Sequence, residues 1–145
     1  MPAVTVSIDI DAPPERVWAE LADLPSHVEW MADAESMTIT SEQTGGVGTV
    51  AEVATTIGPL RTTDVMRFTE WDEGRAMAVR HEGLVSGTGR FTLDDIGGGR
   101  TRMTWSEELD FPIHFGGPIG AAVARPIFRR IWSANLGRLK ARVEG

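Results

Sequence analysis

The order of the predicted elements most constrains the fold of this chain. A strand pattern opens the sequence, a helical stretch follows, and a glycine-punctuated run of strands extends over about residues 34–109. One long amphipathic segment, residues 118–143, closes it. Since the pattern offers no second long helix to cover the sheet, we expect the sheet to curl around the last one. This arrangement favours an enclosed apolar space between sheet and helix.

The N-terminal region reads as a strand followed by two short helices. Apolar and polar side chains alternate over residues 4–10, which predicts a half-buried strand. Residues 11–15 combine acidic residues with two prolines, a composition typical of a helix start. Pro25 is predicted to end this helix, and a second short helix is predicted over residues 27–31.

Glycine clusters divide the middle of the chain into strands. The connections between them are short, which is typical of hairpins and therefore of an antiparallel meander. Counting the first strand, we expect seven strands. We find no repeat, linker or low-complexity tract, so a single domain is predicted over residues 1–145. The remaining six strands are predicted at residues 35–41, 47–56, 60–71, 75–82, 85–95 and 100–109.

The last segment has one apolar and one basic face. Pro126 lies inside it, so the helix either is kinked there or effectively begins there. Arg129 and Arg130 lie on the polar side, and this Arg-rich face is either solvated or a docking surface for an acidic partner or a membrane. The apolar side contains Phe128, Ile131, Trp132, Asn135, Leu136, Leu139 and Val143.

Composition excludes several functional classes. The net charge of −7 argues against nucleic acid as a partner, because phosphate binding needs clustered cations. There is no cysteine, hence no disulfide or thiolate chemistry. No apolar run approaches the roughly 18 residues of a membrane span. We therefore expect a cytoplasmic protein without an integral membrane segment, either a monomer or a homodimer.

We expect neither a cofactor nor a metal. The sequence contains no phosphate-binding loop, dinucleotide fingerprint or nucleophile elbow. His27, His81 and His114 lack the spacing of a metal site.

Three segments carry a family resemblance: Ile10–Trp18, Leu24–Trp30 and Phe68–Arg75. With the element order, they resemble the bacterial polyketide cyclase/dehydrase-like branch of the START and Bet v 1-like (SRPBCC) superfamily. The resemblance implies an α+β helix-grip fold, in which a curved seven-stranded antiparallel sheet surrounds a long C-terminal helix and two short helices follow strand 1. It also implies a cavity that relatives use for lipids, sterols or polyketides. Some relatives catalyse cyclisation or dehydration, whereas others only bind or carry.

Strand alternation predicts which side chains point inward. In the last strand Met103 and Trp105 mark the interior face, and Glu107 shares it. His81 shares the face of Met77 in an earlier strand. Glu107 and His81 are therefore candidates for a catalytic acid–base pair, for a polar anchor of a ligand, or for a structural role.

Two glycines of the sixth strand, Gly87 and Gly89, are expected to leave space inside. Asn135 is the polar residue on the apolar helix face, and it either bonds a ligand or satisfies a backbone group. The candidate ligand-binding residues are Trp30, Met31, Met66, Phe68, Met77, His81, Phe91, Met103, Trp105, Phe111, Phe128, Ile131, Trp132 and Asn135.

These observations favour binding or carriage of a small hydrophobic, lipid- or polyketide-like molecule between sheet and last helix. A cyclase/dehydratase-type enzyme with Glu107 and His81 as its acid–base pair is one alternative. A protein-interaction module using the Arg-rich helix face is another. Whether a reaction is catalysed stays open from the sequence.

Overall fold

A computed structural model describes residues 3–57, 59–113 and 116–145, with the backbone alone for Ile57 and Leu60. His114 lies outside these ranges. In chain order the elements are β1 (Ala3–Ile10), α1 (Pro14–Ala22), a 3₁₀ helix (Leu24–Glu29), β2 (Ala34–Ile39), β3 (Val50–Ile57), β4 (Leu60–Asp72), β5 (Ala76–Glu82), β6 (Ser86–Gly97), β7 (Arg100–Asp110) and α2 (Gly117–Glu144).

The seven strands form one curved antiparallel sheet in the order β1-β7-β6-β5-β4-β3-β2. Consecutive strands from β2 to β7 are neighbours, and β1 pairs with β7 at the far edge. The long helix α2 lies against this sheet, so the predicted α+β helix-grip fold is confirmed. The largest shift of a strand start is at β3, which begins at Val50 rather than at residue 47. Gly46 and Gly48 have φ of 87° and 94° and form the turn before it.

The short helices differ from the prediction in their bounds. α1 begins at Pro14 and buries Val17, Trp18 and Leu21. The second helix is a 3₁₀ turn over Leu24–Glu29 instead of a helix over residues 27–31. Pro25 lies in its first turn, where the missing backbone N–H costs nothing, so this proline starts an element as well as ending one.

α2 is one helix from Gly117 to Glu144, and Pro126 lies within it. The alternative in which the helix begins at Pro126 is therefore wrong. Ala122 is the residue whose carbonyl would accept the N–H that proline lacks. Both Ala122 and Pro126 are exposed, so water can satisfy this carbonyl at little cost.

The two halves of α2 have different surroundings. Leu136 and Leu139 in its second half are at most 1% exposed and belong to a solid core with β1 and α1, which contribute Ile10, Val17 and Leu21. The first half lies over an open interior, described below. The fold thus places dense packing at one end of the sheet and the candidate site at the other.

Candidate functional site

A cavity of about 260 Å³ lies between the sheet and the first half of α2. Side chains from β2 to β7 and from α2 line it, and most of its wall is apolar. The interior is therefore hollow at this end of the sheet. Eleven of the residues predicted from sequence lie in its wall: Met31, Met66, Phe68, Met77, His81, Phe91, Trp105, Glu107, Phe111, Phe128 and Trp132.

One side of the cavity is a ladder of aromatic rings that connects α2 with the sheet. Phe128 and Trp132 stack with their centroids 5.0 Å apart, and Trp132 stacks on Trp105 at 5.1 Å. Phe91 meets Trp105 edge-on at 5.2 Å, and Phe111 meets Phe128 edge-on at 6.0 Å. We call these five residues the aromatic ladder. Its ring faces and edges suit contact with a flat apolar molecule.

A single close ion pair, between His81 and Glu107, lies in the described part of this wall. His81 Nε2 is 2.9 Å from Glu107 Oε2, and the side chains are only 15% and 8% exposed. Trp105 donates its Nε1–H to Glu107 Oε1 at 3.1 Å. The carboxylate is thus held between an imidazole and an indole, which fixes its position at the cavity surface.

Gly89 makes this pair possible. It lies opposite Val79 on β5 and Glu107 on β7 in the strand register. A Cβ at residue 89 would lie 2.5 Å from Glu107 Oε1 and 3.2 Å from His81 Nε2. The absent side chain therefore leaves the space in which imidazole and carboxylate meet. The register of β5, β6 and β7 has no shift between His81 and Glu107, so strand alternation assigns both side chains to the interior.

The pKa values of the polar residues follow from burial and from this pair. Burial lowers the pKa of His81, but the charge and hydrogen bond of Glu107, with the charge of Asp64, outweigh it, so the pKa of His81 is raised. Burial raises the pKa of Asp64, which also lines the cavity. His27 differs, because burial lowers its pKa and its Nε2 donates to the Leu21 carbonyl at 2.7 Å.

A Glu107→Gln variant tests this electrostatic pairing through stability. His81 has a raised pKa when folded, so its pairing stabilises the fold fully below the unfolded pKa of about 6.5 and loses that effect as pH rises through the folded value. The difference in unfolding free energy between wild type and variant is therefore expected to shrink from about pH 6 to about pH 9.

Urea titrations of both proteins over this pH range measure that difference. His27 titrates in both proteins, so its contribution cancels in the comparison, whereas Asp64 interacts with both members of the pair and is part of the measured effect. A difference that stays constant or grows with pH would contradict the assignment.

Four of the residues predicted from sequence lie outside the cavity wall. Trp30 is 1% exposed and packs against Phe91 and Trp105 from behind, and Met103 is fully buried one layer deeper. Ile131 packs against the core. Asn135 is fully buried and hydrogen-bonded to the chain near Ala32. These side chains face inward, but the aromatic ladder or the solid core separates them from the open space.

The sequence prediction missed other residues of the wall. Met37 and Val53 come from β2 and β3, where no inward face was assigned. Leu109 lies on the interior face that alternation assigns to the last strand, but it was not among the candidate ligand-binding residues. Asp64 has the same strand parity as Met66, so alternation was a signal for it. Its position beside Gly83 depends on a contact between strands: a Cβ on Gly83 would meet Asp64 Oδ1 at 2.3 Å.

Within the described ranges, no group of three His, Asp or Glu side chains is arranged to hold a metal ion. None of the helices in those ranges is both long and apolar enough to span a membrane.

Comparisons with known proteins agree with this geometry. The sequence profile of the family described as "Polyketide cyclase / dehydrase and lipid transport" matches residues 1–144. The chain therefore belongs to this family. Among curated proteins, none matches it in sequence.

Solved structures with similar folds share little sequence with this chain. The protein TTHA0849 from Thermus thermophilus is 21% identical, with a TM-score of 0.82 over 98% of this chain and 97% of its own. The Zhui aromatase/cyclase from Streptomyces sp. R1128 is 19% identical, with a TM-score of 0.78 over 99% and 93%. A START superfamily protein from Mycobacterium smegmatis is 14% identical, with a TM-score of 0.74 over 98% and 97%. These similarities establish a shared fold.

Proposed function

We propose that this protein binds and carries a small hydrophobic molecule, lipid- or polyketide-like, in the cavity between the sheet and α2. The observation that supports this is an apolar cavity of about 260 Å³ with one close ion pair in its described wall. Ligand pockets begin at about 300 Å³, so the ligand belongs at the small end of that range. The family, which includes lipid transport in its description, agrees with such a role.

The wall also constrains the shape and polarity of the ligand. The aromatic ladder offers ring faces and edges to a flat hydrocarbon portion. Met31, Met66 and Met77 lie in the same wall, and their flexible thioethers adapt to different shapes. The His81–Glu107 pair would then anchor a hydroxyl or carbonyl group, because a few well-placed polar groups in an apolar pocket fix the orientation of a ligand.

Thermal shift and native mass spectrometry against lipids and aromatic polyketides test this proposal. We expect bound complexes and a rise in melting temperature for some of them. A Val79→Trp variant fills the cavity and is expected to lose these effects, because Val79 lines the wall. Val47→Trp is the matched control, since Val47 is 60% exposed and is not part of the described cavity wall. Absence of any binder, or equal binding by Val79→Trp, would overturn the proposal.

An acid–base enzyme of the cyclase/dehydratase type is the second candidate. The close approach of His81 and Glu107 inside the cavity favours it, because a paired imidazole and carboxylate can transfer a proton. In the same screen, Glu107→Gln is expected to abolish conversion of a bound compound while binding persists. Products that form equally fast with Glu107→Gln would reject this role. If compounds bind but no product forms, the enzyme hypothesis is rejected and carriage is the remaining function.

The other inferences from sequence stay predictions: a cytoplasmic location, a monomer or homodimer, a single domain over residues 1–145, and the absence of nucleic acid partners and cofactors.

A further inference from the structure

The first half of α2 exposes large aliphatic side chains. Ile119, Val123 and Ile127 are 76%, 66% and 51% exposed, and Ile113 just before the helix is 91% exposed. A spacing of four residues places the three helical positions on one side of α2. We call these four residues the docking face. Aliphatic side chains clustered in this way on a surface mark a contact with something apolar.

We propose that the docking face binds this protein to an anionic lipid bilayer, with the aliphatic side chains inserted between the headgroups. Arg129 and Arg130, which follow it directly, would contact the lipid phosphates. The binding itself requires no ligand in the cavity, so it goes beyond the proposed function and is tested separately.

The charges of α2 support an anionic surface. The helix carries no acidic residue between Gly117 and Val143. Near its C-terminal end, Arg142 is paired with Glu20 and Glu29. Arg129 and Arg130 are exposed, and neither forms an ion pair with any residue that the structure describes. The cations beside the docking face are thus available to an external partner, whereas Arg142 is neutralised within the fold.

The same charges argue against a second copy of this chain as the partner. Two copies joined through this face in a twofold arrangement would bring four arginines together, and like charges at an interface are costly. The docking face itself is aliphatic, whereas the residues that dominate protein interfaces are tryptophan, tyrosine and arginine, with leucine and valine under-represented. Helices that lie in the membrane interface combine an inserted apolar face with Lys or Arg that meet the headgroups, and an aliphatic face beside two arginines fits that description.

The net charge of −7 favours one orientation of the protein at an anionic membrane. An anionic membrane repels most of the surface of such a protein and attracts its cationic patch. The protein would therefore approach a bilayer with the docking face first. The interaction is expected to weaken at high salt, because the attraction of exposed charges is screened.

The docking face borders the cavity. Ile127 is half exposed and also lines the cavity, together with Ala124 and Phe128 on the adjoining turn. A bilayer in contact with Ile127 would lie beside this part of the cavity wall. A hydrophobic ligand could then pass between membrane and cavity with little exposure to water.

Vesicle co-sedimentation of the full chain tests the proposal. Wild type is expected to sediment with vesicles of phosphatidylcholine and phosphatidylglycerol, but not with pure phosphatidylcholine, and to be released by high salt. Ile119→Asn with Val123→Asn should weaken binding about tenfold or more, because two inserted aliphatic side chains are lost. Arg129→Glu with Arg130→Glu should abolish binding to these vesicles.

Matched controls separate the docking face from general effects. Val47→Asn with Ile96→Asn removes two exposed aliphatic side chains elsewhere. Arg75→Glu with Arg80→Glu changes the net charge by the same amount at two exposed positions, one in the turn before β5 and one on β5. Both double variants are expected to bind the anionic vesicles like wild type, and circular dichroism verifies that every variant is folded.

Three outcomes would overturn the proposal. The first is wild type that stays in the supernatant with anionic vesicles. The second is unchanged sedimentation of the Ile119→Asn and Val123→Asn variant. The third is a dimer in analytical ultracentrifugation that this variant abolishes, which would make the face an interface between copies. Ligand binding by the same folded variant, measured by thermal shift, shows separately whether the cavity function holds.

Discussion

A Gly87→Ala variant is expected to lose about 3 kcal/mol or more of its free energy of unfolding. Gly87 has a φ of +146°, and a Cβ there would lie 1.9 Å from the carbonyl oxygen of Glu108 and 3.0 Å from the Cα of Leu109. Both contacts are with the backbone of β7, so no side-chain rotation relieves them. β6 and β7 would have to separate, and Glu107 lies on the displaced strand. Chemical denaturation of the two proteins measures the loss.

Two other glycines provide the comparison. Gly98 has a φ of +66°, but a Cβ there would meet nothing within 4 Å. Gly98→Ala should therefore lower the free energy of unfolding only by the backbone conformational cost of about 1 kcal/mol. Gly89→Ala meets the end of the flexible Glu107 side chain, so it should displace the ion pair more than it lowers stability. If Gly87→Ala were no less stable than Gly98→Ala, β6 and β7 would not approach each other as closely at Gly87 as the structure shows.

Asn135→Ala is expected to destabilise the protein by about 2–4 kcal/mol. Asn135 is fully buried. Its Oδ1 accepts from the backbone N–H of Ala32 at 3.1 Å, and its Nδ2 donates to Asp33 Oδ1 at 2.8 Å. Arg138 also donates to this Oδ1. Alanine would remove these partners and leave a small cavity. Among the described residues, the segment between the 3₁₀ helix and β2 would then be held to α2 only by the hydrogen bonds from Arg138 to the Trp30 carbonyl and from Trp132 to Asp33.

Ser133→Ala, on the exposed side of the same helix, is the matched control and should change stability by less than about 0.5 kcal/mol. Urea denaturation of both variants provides the measurement. The sequence left two roles open for Asn135, a ligand contact or a satisfied backbone group. A stability close to that of wild type would contradict the second role, which the hydrogen bonds of the structure support.

Much of the fold could be predicted because its signals are local. Alternation identified β1, and glycine punctuation separated the strands of the meander, whose order in the sheet follows the chain. The predicted ends of strands and helices were wrong where the backbone conformation depended on more than residue type. At Gly46 and Gly48 positive φ angles delay β3, and at Pro25 the proline lies in the first turn of a 3₁₀ helix.

The sequence predicted which side chains point towards the interior, but not which of them reach the cavity surface. Alternation assigned His81 and Glu107 to the interior. The structure agrees, because the register of β5, β6 and β7 is unbroken between these two residues. The sequence also selected Met103 by alternation and Trp30 from the second short helix, and both lie behind the wall. Depth depends on where α2 lies across the sheet, and no pattern within a single strand or helix contains that information.

The aromatic ladder has a spectroscopic consequence. The chain has no tyrosine, so five tryptophans dominate its ultraviolet emission. Two of them, Trp105 and Trp132, are stacked on each other at the cavity surface. Their stacked indoles would serve as a built-in optical probe, because the proposed ligand would change their surroundings on entering the interior and no attached label would be needed.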